Sequence, residues 1–145
     1  MIVRNIVGNK PTRAILSVKR DDTVRAATEM LAKNRIGAVI VSDDGEIVDG
    51  ILSERDIVRA LGTIGPDCLD ARVKDLMTSA VVGCHLDDTA HQVLGKMTDG
   101  RFRHMPVIEE NRMVAVISIG DVVKARLGEI EMENNALTGM IANSW

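Results

Sequence analysis

The sequence predicts an α/β chain, mixed α+β in detail. Two βαββα repeats pack about a pseudo-twofold axis and an extended C-terminal helix follows them. Three observations lead there. GILSERDIVRAL, from Gly50 to Leu61, is echoed by AVISIGDVVKARL, from Ala115 to Leu127: each sets an aliphatic run before Ser-x-x-Asp, then two aliphatic residues and a basic one. The echo reaches upstream, since Asp22-Thr23 maps to Asp88-Thr89 and Arg35 to Arg101 at an offset of 66, while Asp56 maps to Asp121 at 65. Finally, strand-like aliphatic runs alternate with apolar residues at helical spacing in both halves, as a duplicated unit requires.

Each repeat opens on an aliphatic stretch, Ala14 to Val18 or Ala80 to Cys84, that predicts a short strand. Asp-Asp-Thr then supplies short side chains able to accept the orphan N–H groups of a helix start. The first helix buries Val24, Ala27 and Leu31 in one half, and Ala90, Val93, Leu94 and Met97 in the other. Two strands follow. AVIV and IVDGIL flank SDDGE, whose Asp-Gly is a hairpin signal, and MPVI and MVAVI flank a loop holding Asn111. The second helix opens at Ser53 and again at Ser118. The organisation predicted is a first repeat with an N-terminal extension over 1–61, a Gly- and Pro-bearing connector over 62–72, a second repeat over 73–127 and a helical extension over 128–145. A unit of about 60 residues buries too little surface to stand alone, so the halves must share an interface.

Composition narrows the function. Hydrophobic residues make up 46% and charged residues 27%, and Phe102 and Trp145 are the only aromatic residues. Any pocket is therefore aliphatic, and the aromatic platforms that grip single-stranded nucleic acid are missing. A formal net charge of −3 also argues against a nucleic-acid partner. No secretion signal or membrane-length apolar run is present, which predicts a cytoplasmic protein with no membrane partner. Cys68 and Cys84 lack CxxC spacing and read as free thiols, and His85 and His91 are poorly spaced as ligands, so no metal is required.

Taken singly, Ser53-Glu54-Arg55-Asp56 is a helix capping box. Its recurrence at the end of a buried strand in both halves suggests a second use, because open α/β sheets bind ligands outside strand ends beside helix N-termini. A carboxylate accepts two hydrogen bonds at once, which suits the 2′ and 3′ hydroxyls of ribose. The Ser hydroxyl and helix end can serve phosphate, with Arg35, Arg103 or His104 neutralising it. A Ser118, His104, Asp121 triad has no Gly-x-Ser-x-Gly elbow to support it, and no enzyme is predicted.

DDTVRAATEMLAKNRIGAVIV with GILSERDIVRAL, and VKDLMTSAVV, DDTAHQVLGKM, RFRHMPVI and VISIGDVVKARL, together resemble a tandem pair of CBS domains, the nucleotide-sensing modules named after cystathionine β-synthase. The resemblance covers roughly residues 14 to 127. It implies that Asp56 and Asp121 hold ribose hydroxyls and that Ser53 and Ser118 sit beside the nucleotide. It matches Leu16 with Ile36, and Val82 with Phe102, to adenine-contacting positions, and Arg103 and His104 to positions that meet phosphates near the pseudo-twofold axis. The implied ligand is an adenosyl compound: AMP, ADP, ATP, NAD or S-adenosylmethionine. Arg55 precedes Asp56 where Gly120 precedes Asp121, and Ala115 stands in place of the usual Gly, so the two pockets are chemically unequal.

From Val123 through Leu127, Ile130, Asn134, Leu137 and Ile141 the spacing is that of a two-helix seam with one Asn embedded in it. Packing over the module and pairing with another subunit are both open readings of this stripe, and the resemblance favours a homodimer. The expectation is a non-catalytic regulatory module that binds an adenine nucleotide between its repeats and acts on a client protein not encoded here. The alternative is a structural homodimerisation module with vestigial pockets.

Overall fold

The computed structural model describes residues 1–10 and 15–143, with side chains through Met140. The first repeat follows the predicted order: β1 (Ser17–Val18), α2 (Val24–Asn34), β2 (Ala38–Val41), β3 (Gly50–Ser53) and α3 (Glu54–Thr63), preceded by α1 (Val3–Asn9). Its sheet runs β1-β2-β3, parallel then antiparallel. A 3₁₀ turn over Pro66–Asp70 and the short α4 (Val73–Leu76) lead into the second repeat, with α5 (Ala90–Gly100), the antiparallel pair β4 (His104–Glu109) and β5 (Arg112–Ser118), and α6 (Ile119–Asn143).

The local chemistry matches the sequence at the helix ends. Thr23 accepts the Ala26 N–H at 3.1 Å and Thr89 accepts the Gln92 N–H at 3.1 Å, so the same hydroxyl starts both first helices. Both end on an arginine in the left-handed region, Arg35 at φ 53° and Arg101 at φ 56°, where glycine is the residue normally favoured. Val24, Ala27 and Leu31 face one core, and Ala90, Val93 and Met97 the other.

Three strand expectations change. The strand expected over Ala14 to Val18 is Ser17–Val18, and Ala14 lies outside the described residues. Ala80 to Cys84 forms no strand, and a single parallel bridge from Cys84 to Val107 remains. Thr78 is still paired with Ile51 of the first repeat, so the chain spends the intervening residues crossing between sheets. Asp44-Gly45 does not close a tight hairpin either. Asp44 Oδ1 accepts the N–H groups of Glu46 and Ile47, both at 2.8 Å, and the loop spans residues 42–49 because these turn bonds capture donors that a longer ladder would use. The β4–β5 turn is tight, with Glu110 at φ 51° and Asn111 at φ 66°, the pair of positive angles a two-residue hairpin needs.

The two segments that precede the repeats dock crosswise. From α1, Val3 N–H donates to the Asp88 carbonyl and Arg4 N–H to the Leu86 carbonyl, both at 2.8 Å, and Val3 and Ile6 join the core of the second repeat. From α4, Val73 N–H donates to the Asp22 carbonyl at 2.8 Å and Lys74 N–H to the Arg20 carbonyl at 3.0 Å, and Val73 joins the core of the first. A seven-residue helix is unstable alone. Docking is what holds α1 in shape. At the far end, α6 buries Val122 and Ala125 against the second repeat, while residues 131–138 are exposed all round. No described helix is long and apolar enough to cross a membrane.

Candidate functional site

A cleft of about 1110 Å³ opens between the repeats on the side of the α3 N-terminus. Its floor is built by strand-end residues Ile36, Gly37, Ala38 and Ile51, and its walls by Ala80, Val81, Val82 and Phe102. The apolar part is thus aliphatic except for one ring. Phe102 lies directly over Gly100, where a Cβ would come 2.0 Å from the ring, so the glycine is what lets the aromatic edge settle there.

At the polar end, Ser53 caps α3 and Asp56 closes the box. Asp56 N–H donates to Ser53 Oγ at 3.2 Å, and Asp56 Oδ2 accepts from Ser53 N–H at 2.9 Å and from the Ser53 hydroxyl at 3.1 Å. Asp56 Oδ1 has no donor among the described residues. The carboxylate therefore serves the helix with one oxygen and presents the other at the cleft. Five guanidinium-bearing residues line the same space, Arg35, Arg55, Arg59, Arg101 and Arg103, against two carboxylates, Glu54 and Asp56. In a chain with more acidic than basic residues this is a local reversal of sign, suited to an anion. Arg55 also bridges the repeats, donating to the Arg101 carbonyl at 3.2 Å.

Nine of the residues predicted from sequence meet here: Arg35, Ile36, Ser53, Arg55, Asp56, Val82, Phe102, Arg103 and His104. Leu16, Ser118 and Asp121 do not line this cleft. Val82 reaches the same cleft as Ile36 because the crossing segment pairs Thr78 with Ile51 and carries residues 80–82 across the first repeat's strand ends. Sequence reasoning missed Arg101, whose offset from Arg35 could have found it, and Lys10, for which no motif gives a signal.

Around the second acid the surroundings differ. Asp121 Oδ2 accepts the Ser118 N–H at 2.9 Å, and Ser118 Oγ accepts the Asp121 N–H at 3.1 Å, repeating the first box. Here, however, Lys10 Nζ donates to Asp121 Oδ2 at 2.9 Å and to the Val116 carbonyl at 2.8 Å. Burial works against ionisation of Asp121, but the Ser118 N–H, the Lys10 ammonium and the Ser118 hydroxyl outweigh it and hold the carboxyl below its usual range.

His104 opens β4 and lines the cleft. Burial pushes its imidazole below the ordinary 6.5, Lys10 and Arg103 act in the same sense, and Asp121 and Glu54 oppose them. The unfolded chain therefore takes up its proton first as the pH falls, and stability declines from about pH 6.5 downward until the folded imidazole charges too. His104→Gln is expected to flatten that decline between about pH 7 and about pH 5. Urea midpoints across the range test it, and an unchanged slope refutes it.

Cys68 and Cys84 are buried free thiols, and burial pushes Cys84 up to about 12, so it is an inert thiol rather than a nucleophile. Among the described residues no group of three or more His, Cys, Asp or Glu is placed to hold a metal ion.

Comparison with known proteins agrees with this arrangement. The family model described as CBS domain matches twice, over residues 3–63 and 73–128. A CBS domain-containing protein of Agrobacterium tumefaciens, ATU1752, has a crystal structure that superposes with a TM-score of 0.82 at 42% identity, covering 87% of this chain and 99% of that one. The mitochondrial CBS domain-containing protein CBSX3 of Arabidopsis thaliana is 33% identical over 86% of this chain, which spans 63% of that relative's length. The CBS domain pair of protein MJ0100, solved in complex with 5-methylthioadenosine and S-adenosyl-L-methionine, shares the fold with a TM-score of 0.76 at 21% identity, covering 89% of this chain and 98% of that one.

Proposed function

The chain belongs to the CBS domain family, with two copies in tandem, and from that premise we propose that its inter-repeat cleft binds an adenine nucleotide as a regulatory signal. The single observation that carries this reading is the open Asp56 carboxylate oxygen beside a cluster of five guanidinium groups at the mouth of an aliphatic slot. Asp56 accepts the ribose hydroxyls, with Ser53 beside them. The adenine lies between Ile36, Val82 and Phe102, and the phosphates point to Arg35, Arg55, Arg101, Arg103 and His104.

Charge separates the adenosyl candidates. AMP, ADP, ATP and NAD bring phosphate to the arginines, where bidentate pairing is available. S-adenosylmethionine brings a sulfonium cation to the same place, and like charges disfavour it. No bond is made or broken in this scheme. The ligand acts through its differential affinity for two arrangements of the repeats, and a client protein reads the difference.

A panel of AMP, ADP, ATP, NAD and S-adenosylmethionine tests the proposal by thermal shift. The melting temperature should rise with the concentration of the phosphorylated ligands, by about 2.7 kcal/mol of added stability at a hundredfold excess over the dissociation constant. A flat response to every compound would refute it. The second reading, a homodimerisation module with vestigial pockets, is favoured by a separate observation: α3 exposes Val58 and Leu61, and α6 exposes Leu127, Ile130, Met132 and Leu137. Light scattering that shows a dimer, combined with no response to the panel, would decide for it.

A further inference from the structure

The crosswise docking of α1 and α4 gives the two Ser-x-x-Asp motifs corresponding neighbours. Val3 of α1 occupies in the second repeat the place that Val73 of α4 occupies in the first. Seven residues on from each stand Lys10 and Ala80. Ala80 lines the open cleft, where its methyl group leaves room beside Asp56. Lys10 instead extends an ammonium onto Asp121, at 2.9 Å, and onto the carbonyl of Val116 on β5, at 2.8 Å. Its side chain and that of Asp121 are 24% and 26% exposed, so the pair is largely withdrawn from water and weakly screened. We propose that Lys10 is the residue that decides occupancy: it is a built-in occupant of the second cleft, so each chain takes one adenosyl ligand, at Asp56, and none at Asp121.

Two physical effects add. The ammonium neutralises the carboxylate that a ribose diol would otherwise bond, and a four-carbon stem stands where the first repeat has only the methyl group of Ala80. It also takes the Val116 carbonyl, a backbone acceptor of the strand against which a base would lie. A ligand reaching Asp121 meets a carboxylate whose charge is already neutralised and whose Oδ2 already accepts from both Lys10 and the Ser118 N–H. Asp121 on this account is an anchor for Lys10, and the repeated Ser-x-x-Asp serves binding in one half and self-closure in the other.

The inference rests on the nucleotide-binding reading of the first cleft, so the experiment counts sites. Isothermal titration with AMP is expected to give one equivalent per native chain and two for Lys10→Ala, with Lys10→Met as the second variant that removes the charge but keeps most of the stem. Lys10→Ala combined with Asp56→Ala should return to one equivalent, now at the second cleft. Two equivalents on the native chain, or one on both folded Lys10 variants, overturn the role of Lys10 and leave the first cleft's function standing. No binding by the native chain or any variant overturns both readings together.

Discussion

Asp56→Ala is expected to weaken ribose-containing ligands by about 1–3 kcal/mol, a loss of about five- to 150-fold in affinity. The carboxylate has two duties, and the variant removes both. Ser53 still caps α3 in this variant, and the lost return bond from the Ser53 N–H costs about 0.5–1.5 kcal/mol of stability. Asp56→Asn separates the duties. Its amide oxygen can still accept the Ser53 N–H that Oδ2 accepts at 2.9 Å, so stability should stay near native while the charge that favours the diol is gone. Denaturation midpoints and ligand titrations on the same two variants decide the matter. If both bind as the native chain does and only Asp56→Ala is destabilised, the acid is a cap and nothing more.

Gly50→Ala is expected to destabilise the fold through a clash with fixed backbone. A Cβ there would stand 2.7 Å from Met77 Sδ and 2.9 Å from the Thr78 carbonyl oxygen. The sulfur can move, but the carbonyl accepts the Ile51 N–H at 3.0 Å while Thr78 N–H donates back to Ile51 at 2.9 Å. Backbone held on both sides cannot yield without breaking the bridge. Overpacking of this kind costs about 1–3 kcal/mol. Residues 80–82 follow directly and form a wall of the cleft, so ligand affinity should fall with stability. Gly62→Ala is the matched control. It sits in α3 with nothing within 4 Å of the added carbon and should stabilise by about 0.5–1 kcal/mol. Equal midpoints for Gly50→Ala and the native chain would show that the crossing segment tolerates displacement.

Much of this was legible in the sequence because it is written in local chemistry. Thr23, Ser53, Thr89 and Ser118 each announce a helix start through a short hydroxyl side chain, and the duplicated Ser-x-x-Asp placed two of those starts at strand ends. The candidate cleft followed from the same motif, and nine of its lining residues were named in advance. What the sequence hid is non-local. Val3 and Val73 look like ordinary apolar residues of a terminus and a connector, and no periodicity reveals that each completes the core of the other repeat. Val82 reaches the cleft beside Ile36 only because the chain crosses between the sheets, which no local pattern reveals. Lys10 was invisible for the same reason, since it lies 111 positions from the carboxylate it meets. The tight-hairpin reading of Asp44-Gly45 failed for a local reason, because the Asp44 side chain competes for the N–H groups the hairpin needed.

The exchange of α1 and α4 between the halves interlocks them like the two parts of a clasp. Neither half can be excised with its interior intact, because each donates a plug to the other. Heat or denaturant should accordingly melt both halves in one cooperative step. A ligand bound in the cleft should then be felt by both halves, since each holds part of the other's core.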